Sequence, residues 1–265
     1  MSIRNAAVAG AFYPADKQEL QDQLNKLLAD ELLSATKTNK TSLPKALILP
    51  HAGYIYSAEV AAVGYRLLND YKTSINKVVL LGPSHRLAFE GVALPESDYF
   101  ATPLGFITVD PTAWQQLQSL PFVFQSEQAH LYEHSLEVQL PFLQVLLKQF
   151  SIVPLVVGDA TPEQVAKIIE FYLGEEGVLI IISTDLSHFH DYQQAQIMDK
   201  KTSLLIIDKN HHLQGEQACG CRPLNGLLKL AGQQNLSVQQ LALCNSGDTA
   251  GDKKRVVGYG AFVVN

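Results

Sequence analysis

Three short runs of uninterrupted apolar residues constrain this chain more than any other feature: Ala46–Leu49, Val78–Leu81 and Val178–Ile182. Each is too short for a core helix, and none alternates as a strand with one wet face does. Runs of this kind are strands covered on both sides, the way parallel strands are buried in α/β folds. Segments with helical signals lie between them. Asp16-Lys17-Gln18-Glu19 reads as a capping box that opens a helix through about Leu33, with Leu20, Leu24, Leu27 and Leu28 on one face. Polar Ser34–Ser42 reads as a loop. Helices are expected from about Ser57 to Leu68, after Asp110-Pro111, and over Glu133–Leu147 with Pro141 kinking or dividing it. Others are expected from the Thr161-Pro162-Glu163-Gln164 cap to near Gly174, over Tyr192–Ile207, and beyond Pro223. Gly91–Leu94, Phe106–Val109, Ile152–Val157, Leu241–Leu243 and Val256–Val264 read as further strands, the last two antiparallel. Strand followed by helix, repeated, predicts an α/β fold: a mixed, mostly parallel sheet flanked by helices. No linker or repeat divides residues 1–265, so a single domain is expected.

Composition narrows the function classes. At 265 residues the chain is long for one domain, and a fold of that size hides about 70–75% of its extended surface. A hydrophobic share of 47% against 17% charged fits a compact protein with heavily buried strands. The net charge of −6 and the absence of basic clusters argue against a nucleic-acid groove. Ala6–Phe12 is a poor signal peptide, since Pro14 and Asp16 follow at once, and no run is long enough to span a bilayer. Three cysteines, Cys219, Cys221 and Cys244, leave one over from any pairing, so reduced thiols and a cytoplasmic location are expected.

The chemistry collects where the apolar runs stop. Ala46–Leu49 leads into Pro50-His51-Ala52-Gly53, Val78–Leu81 into Gly82-Pro83-Ser84-His85, and Val178–Ile182 into Ser183-Thr184-Asp185-Leu186-Ser187-His188. Ligands of open α/β sheets bind beyond the carboxyl ends of the strands. If the three strands are parallel neighbours, His51, His85, Asp185 and His188 converge on one crevice. Neutral imidazoles offer lone pairs to zinc, iron or copper. A lone histidine after a strand is more often a loop or capping residue than a ligand, but three strand ends of one kind call for a shared explanation. The other candidates have bland readings: Cys221 a loop thiol, Cys244 a buried strand residue, His190, His211 and His212 solvent-facing, His130 without an obvious partner. No P-loop, dinucleotide glycine motif or Gly-x-Ser-x-Gly elbow is present.

Pro50-His51-Ala52-Gly53-Tyr54-Ile55-Tyr56-Ser57 and Leu81-Gly82-Pro83-Ser84-His85 resemble the two leading motifs of the Memo family, also named AmmeMemoRadiSam system protein B in microbes. The resemblance continues through Glu133-His134-Ser135-Leu136-Glu137-Val138-Gln139-Leu140-Pro141, Ser183–His188, and Cys219-Gly220 with Arg222-Pro223. It implies a fold similar to class III extradiol ring-cleaving dioxygenases, which use non-haem iron. Carried over residue by residue, it implies that His51, His85 and Cys219 hold a metal. Asp185 and His188 would then act around that metal, with His134 beside the same pocket. A thiolate stands where the ring-cleaving enzymes use a carboxylate, which softens the site and favours copper or zinc as well as iron. Cys221 is a rival for the place of Cys219.

Two functions follow from the resemblance. The first is a metal-dependent redox enzyme or dioxygenase acting on a small aromatic or enolic substrate, with His188, Asp185 and His134 moving protons. The second is a non-enzymatic factor that binds metal, a peptide or a protein in the same crevice. The microbial family name also implies a functional link to a radical-SAM protein.

Overall fold

The computed structural model describes residues 1–29 and 43–265. The expected helical run to Leu33 and the loop Ser34–Ser42 lie outside the described residues, apart from the helix as far as Ala29. In chain order the elements begin with β1 (Ile3–Arg4), α1 (Lys17–Ala29), β2 (Ala46–Leu49), α2 (Tyr54–Arg66) and β3 (Lys77–Pro83). A less regular middle follows, with β4 (Val92–Leu94), β5 (Tyr99–Thr102), β6 (Gly105–Val109), α3 (Ala113–Leu117), β7 (Val123–Gln125), α4 (Glu127–Leu131) and α5 (Leu140–Leu146). The chain closes with β8 (Ser151–Val157), α6 (Pro162–Glu170), β9 (Val178–Ser183), β10 (His188–His190), α7 (Tyr192–Ile207), α8 (Cys221–Gln233), β11 (Val238–Asn245) and β12 (Val256–Val264).

One mixed sheet joins these strands in the order β1-β5-β6-β8-β3-β9-β2-β12-β10, with β11 on β12, and β4 on β8 and β7. From β6 through β8, β3 and β9 to β2 the pairing is parallel throughout. The three apolar runs are therefore adjacent strands, with β9 between β3 and β2, and their carboxyl ends lie on one edge. Their continuous apolarity has the expected cause. Ile48, Val79, Leu81, Ile180 and Ile182 pack on one face with α6 and α8, while Leu47, Leu49, Val78, Leu80, Leu179 and Ile181 pack on the other with α1, α2 and α5. Each fully buried Leu, Ile or Val contributes about 1.5–3 kcal/mol, so this three-layer arrangement anchors the strand ends firmly.

Helix signals were most legible where a side chain closes the first turn. Asp16 Oδ1 accepts the Glu19 N–H at 2.9 Å, and Thr161 and Gln164 complete a reciprocal capping box. Asp191 caps α7, which spans the expected residues. Elsewhere the boundaries move. The helix expected after Asp110 starts at Ala113, because Asp110 spends one oxygen on Thr112 and the other on Lys77 Nζ at 2.7 Å. The helix expected at Ser57 starts at Tyr54, with Ser57 Oγ donating back to Ala52 O. Glu133–Leu147 is divided, as Pro141 requires: residues 133–136 are irregular, Glu137–Gln139 form a 3-10 turn, and α5 begins at Leu140 with the proline in its first turn. Cys221 opens α8 and is not a loop residue.

Candidate metal centre

The site lies past the carboxyl ends of β2, β3 and β9. His51 follows β2 and is buried, and His85 follows β3 and is exposed. His134 joins them from the irregular stretch before α5. One nitrogen from each of the three rings falls within a common span of 4.8 Å. The ring centroids of His51 and His85 are 5.2 Å apart, and those of His85 and His134 4.7 Å, nearly stacked. Cys219 enters from the loop before α8 and brings Sγ to 3.3 Å from His51 Nε2.

Two glycines permit this convergence. A Cβ on Gly82 would meet Ser135 Oγ and Leu136 Cδ2, both at 2.8 Å, so the 133–136 stretch can lie against β3 only because position 82 has no side chain. A Cβ on Gly220 would meet Ser183 O and Thr184 Cβ at 2.7 Å each, and the Gly220 N–H donates to Thr184 Oγ1. That close approach sets Cys219 against the end of β9.

Hydrogen bonds fix how the imidazoles face. Ser183 Oγ donates its single proton to Ser135 O at 2.6 Å and accepts from Gln139 Nε2 at 2.8 Å. Gln139 is itself oriented, donating also to Pro50 O and accepting from Tyr65 Oη. The remaining lone pair of Ser183 faces His51 Nδ1 at 2.9 Å, so the network assigns the proton to Nδ1 and leaves the Nε2 lone pair directed at Cys219. His85 is held likewise: Nδ1 lies 3.0 Å from Glu133 Oε1 and its backbone N–H donates to Oε2 at 2.5 Å. A carboxylate only accepts, so His85 also carries its proton on Nδ1 and keeps Nε2 open. This is the support metal-ligating histidines have through their second nitrogen.

The electrostatics sort the groups further. Burial, together with the neighbouring His85 and His134, holds His51 well below the usual imidazole range. Burial brings His134 down to about 4. For Glu133, burial pushes upward, but hydrogen bonds from His85 and from the Ser135 amide prevail and hold the carboxyl at about 2. Burial raises Asp185 to about 7 even though it accepts the His51 N–H at 2.8 Å. Burial and the charge of Asp185 push the Cys219 thiol up, so a bound cation is what would make it a thiolate. Its sulfur accepts the Asp185 N–H at 3.3 Å, a contact that suits a thiolate. The cluster whose geometry can hold a metal ion is the three imidazoles His51, His85 and His134, with the Cys219 thiol beside His51, and imidazole donors suit a borderline metal.

Of the residues singled out by sequence, His51, His85, His134 and Cys219 meet here. Asp185 sits among them, but its carboxylate serves the amides of residues 51 and 52, and no hydrogen bond joins it to His188. His188 is half-buried at the edge, in β10, and its burial holds it below the usual imidazole range. His130 is not partnerless: it is buried, its Nε2 is 3.0 Å from Ala93 O, and its ring meets Phe100 edge-on. His212 is exposed, whereas His190 and His211 are half-buried, and so is Cys244. Sequence reasoning gave no role to Glu133, Ser183 or Gln139. The available signal was the spacing of Glu133 and Glu137, two acids four apart in a stretch that the structure buries almost throughout.

Known proteins resemble the chain over nearly its whole length. A family model described as Memo-like protein matches residues 4–263. A "MEMO1 family protein" of Aquifex aeolicus is 37% identical over 279 residues, covering 98% of both chains. Another from Sulfolobus acidocaldarius is 34% identical and covers 97% of both. Among solved structures, an uncharacterized protein of Escherichia coli K12 superposes with a TM-score of 0.53 at 13% identity. It covers 81% of this chain and 98% of its own, a likeness of fold alone.

Proposed function

Because this chain belongs to the Memo-like family, we propose that it is a metal-binding protein whose centre performs redox chemistry on a small aromatic or enolic molecule. His51, His85 and Cys219 would hold the ion, and the observation that carries this is the Nε2 lone pair of His51, freed by Ser183 and aimed at Cys219 Sγ 3.3 Å away. A bound non-haem iron supplies both Lewis acidity and one-electron chemistry, while copper supplies mainly the second and zinc only the first. The chain's own residues do the rest. Glu133 fixes the ring of His85, and Asp185 fixes the backbone of His51. His134 is neutral at neutral pH, and its Nδ1, 3.4 Å from Glu133 Oε1, makes no hydrogen bond there. Its other ring nitrogen, Nε2, would take a proton from a substrate hydroxyl and return it. His188, at the exposed edge, would serve as the route of that proton to solvent.

Metal content of purified protein tests the reading. His51→Ala, His85→Ala and Cys219→Ser should each remove most of the bound metal while the fold persists. Glu133→Gln should weaken metal affinity by about 10–100-fold, the usual effect of losing a carboxylate behind a ligating histidine. His134→Ala should keep the metal and lose oxygen uptake with catechol probes. Unchanged stoichiometry in all three ligand variants overturns the centre. Full metal loading without any oxygen uptake favours the non-enzymatic alternative.

A further inference from the structure

We propose that the cavity on the Cys219 side of the centre is where the substrate lies, and that it takes a molecule with an apolar body and one carboxylate, which Arg222 recognises. The inference rests on the reading of His51, His85 and Cys219 as a metal centre. The cavity measures about 690 Å³, within the usual range of about 300–1,000 Å³ for small-molecule sites. It shares a wall with the centre, since Cys219 and Ser84, the neighbour of His85, both line it.

The rest of the lining specifies the ligand. Leu87, Phe89, Val157 and Leu213 offer an apolar surface. Arg222, His211 and His212 offer hydrogen-bond donors, and the imidazoles of the two histidines lie 4.4 Å apart. Asp159 is the one acidic residue among the lining residues, and it is already engaged: Arg222 Nη1 donates to its Oδ1 at 2.6 Å. The backbone of Asp159 is held in place, because its N–H donates to Phe89 O and its carbonyl accepts from Gly91, while its carboxylate is exposed. That carboxylate orients the guanidinium while using one of five N–H donors. Two parallel donors on Arg222 suit a carboxylate, whereas a neutral ligand would leave those donors without a charged acceptor.

The isosteric probes benzoate and benzamide separate charge from shape. Their binding to zinc-loaded and metal-free protein should be measured by ligand-observed NMR titration. Benzoate is expected to bind about tenfold or more tightly than benzamide, the scale of one hydrogen bond to a charged group. Arg222→Leu should bring the two probes within about threefold of each other, and Arg222→Lys should fall between. Arg222 is about half exposed, so the leucine variant should melt with the wild type and its fold can be verified directly. Equal affinities for both probes in the wild type, or undiminished benzoate binding in Arg222→Leu, overturns the proposal. Benzoate binding that needs zinc and ignores Arg222 places the carboxylate on the metal, which overturns the proposal and upholds the centre. Binding that depends on Arg222 in a protein that takes up no zinc upholds the cavity and removes the centre.

Discussion

Residues 130–137 place two histidines and two glutamates on one short stretch, and the two halves of that set face different parts of the molecule. His130 and Glu137 face the N-terminal segment. Glu137 forms an ion pair with Arg4 and accepts from the Ala7 and Val8 amides and from Tyr13 Oη, while His130 is paired with Ala93 O. Glu133 and His134 face the strand ends, where Glu133 supports His85 and His134 stands against His51 and His85. Burial brings both histidines down to about 4, so neither burial nor basicity tells structure from function. The difference is satisfaction. His130 Nε2 has a hydrogen-bond partner within the fold, and Nδ1 of His134 has none among the described residues. A buried polar atom left open among other open donors marks the functional side.

Breaking the structural half should have the largest effect. Glu137→Leu would leave Arg4 as an unpaired charge, with its side chain 1% exposed, and strip an acceptor from two amides and a phenol. Loss of one partner of a buried pair is expected to cost about 3–5 kcal/mol, read as a collapse of the urea midpoint. An unfolding midpoint close to wild type would mean that the N-terminal segment contributes little to stability.

A smaller effect should appear with pH. His130 has a folded pKa of about 4 against an ordinary 6.5, so between those values the unfolded chain binds a proton that the native one refuses. Stability is therefore intact above pH 6.5 and lost as pH falls towards 4, by up to about 3 kcal/mol for this group. His134 acts with the same sign, so the measurement is the difference between wild type and His130→Gln. The variant's stability should fall less steeply across that window, and parallel profiles would show that His130 does not titrate as its burial implies.

The sheet was legible from sequence because its signal is local. Ala46–Leu49, Val78–Leu81 and Val178–Ile182 announce buried strands by composition alone, and their parallel adjacency puts His51 and His85 on one edge. β5 was missed because it is a short hairpin partner of β6 that buries only Phe100 and Thr102. His134 and Cys219 are a harder case. Neither follows a strand, and each reaches the centre through a backbone approach that only Gly82 and Gly220 allow. Family motifs pointed to both residues, whereas periodicity did not. Glu133 and Ser183 lay within those motifs, but their roles depend on the direction of single hydrogen bonds, which only the assembled fold determines.

The smallest expected effect is the sharpest test of the contrast. His134→Phe keeps a ring of similar size against Phe12, 4.7 Å away, and against His85 at the same distance. It removes a nitrogen that makes no hydrogen bond, so its desolvation penalty disappears with it. The same change at position 130 keeps the edge contact with Phe100 but leaves Ala93 O without its donor, in a fully buried setting. His130→Phe should therefore lose about 1–3 kcal/mol, while His134→Phe should stay within about 1 kcal/mol of wild type or gain slightly. The functional cost should run the other way: His134→Phe should lose substrate turnover with metal still bound, and His130→Phe should retain turnover in the folded fraction. Equal losses of stability at the two positions would show that the open nitrogen of His134 is satisfied in solution, and the division between structural and functional halves would no longer hold.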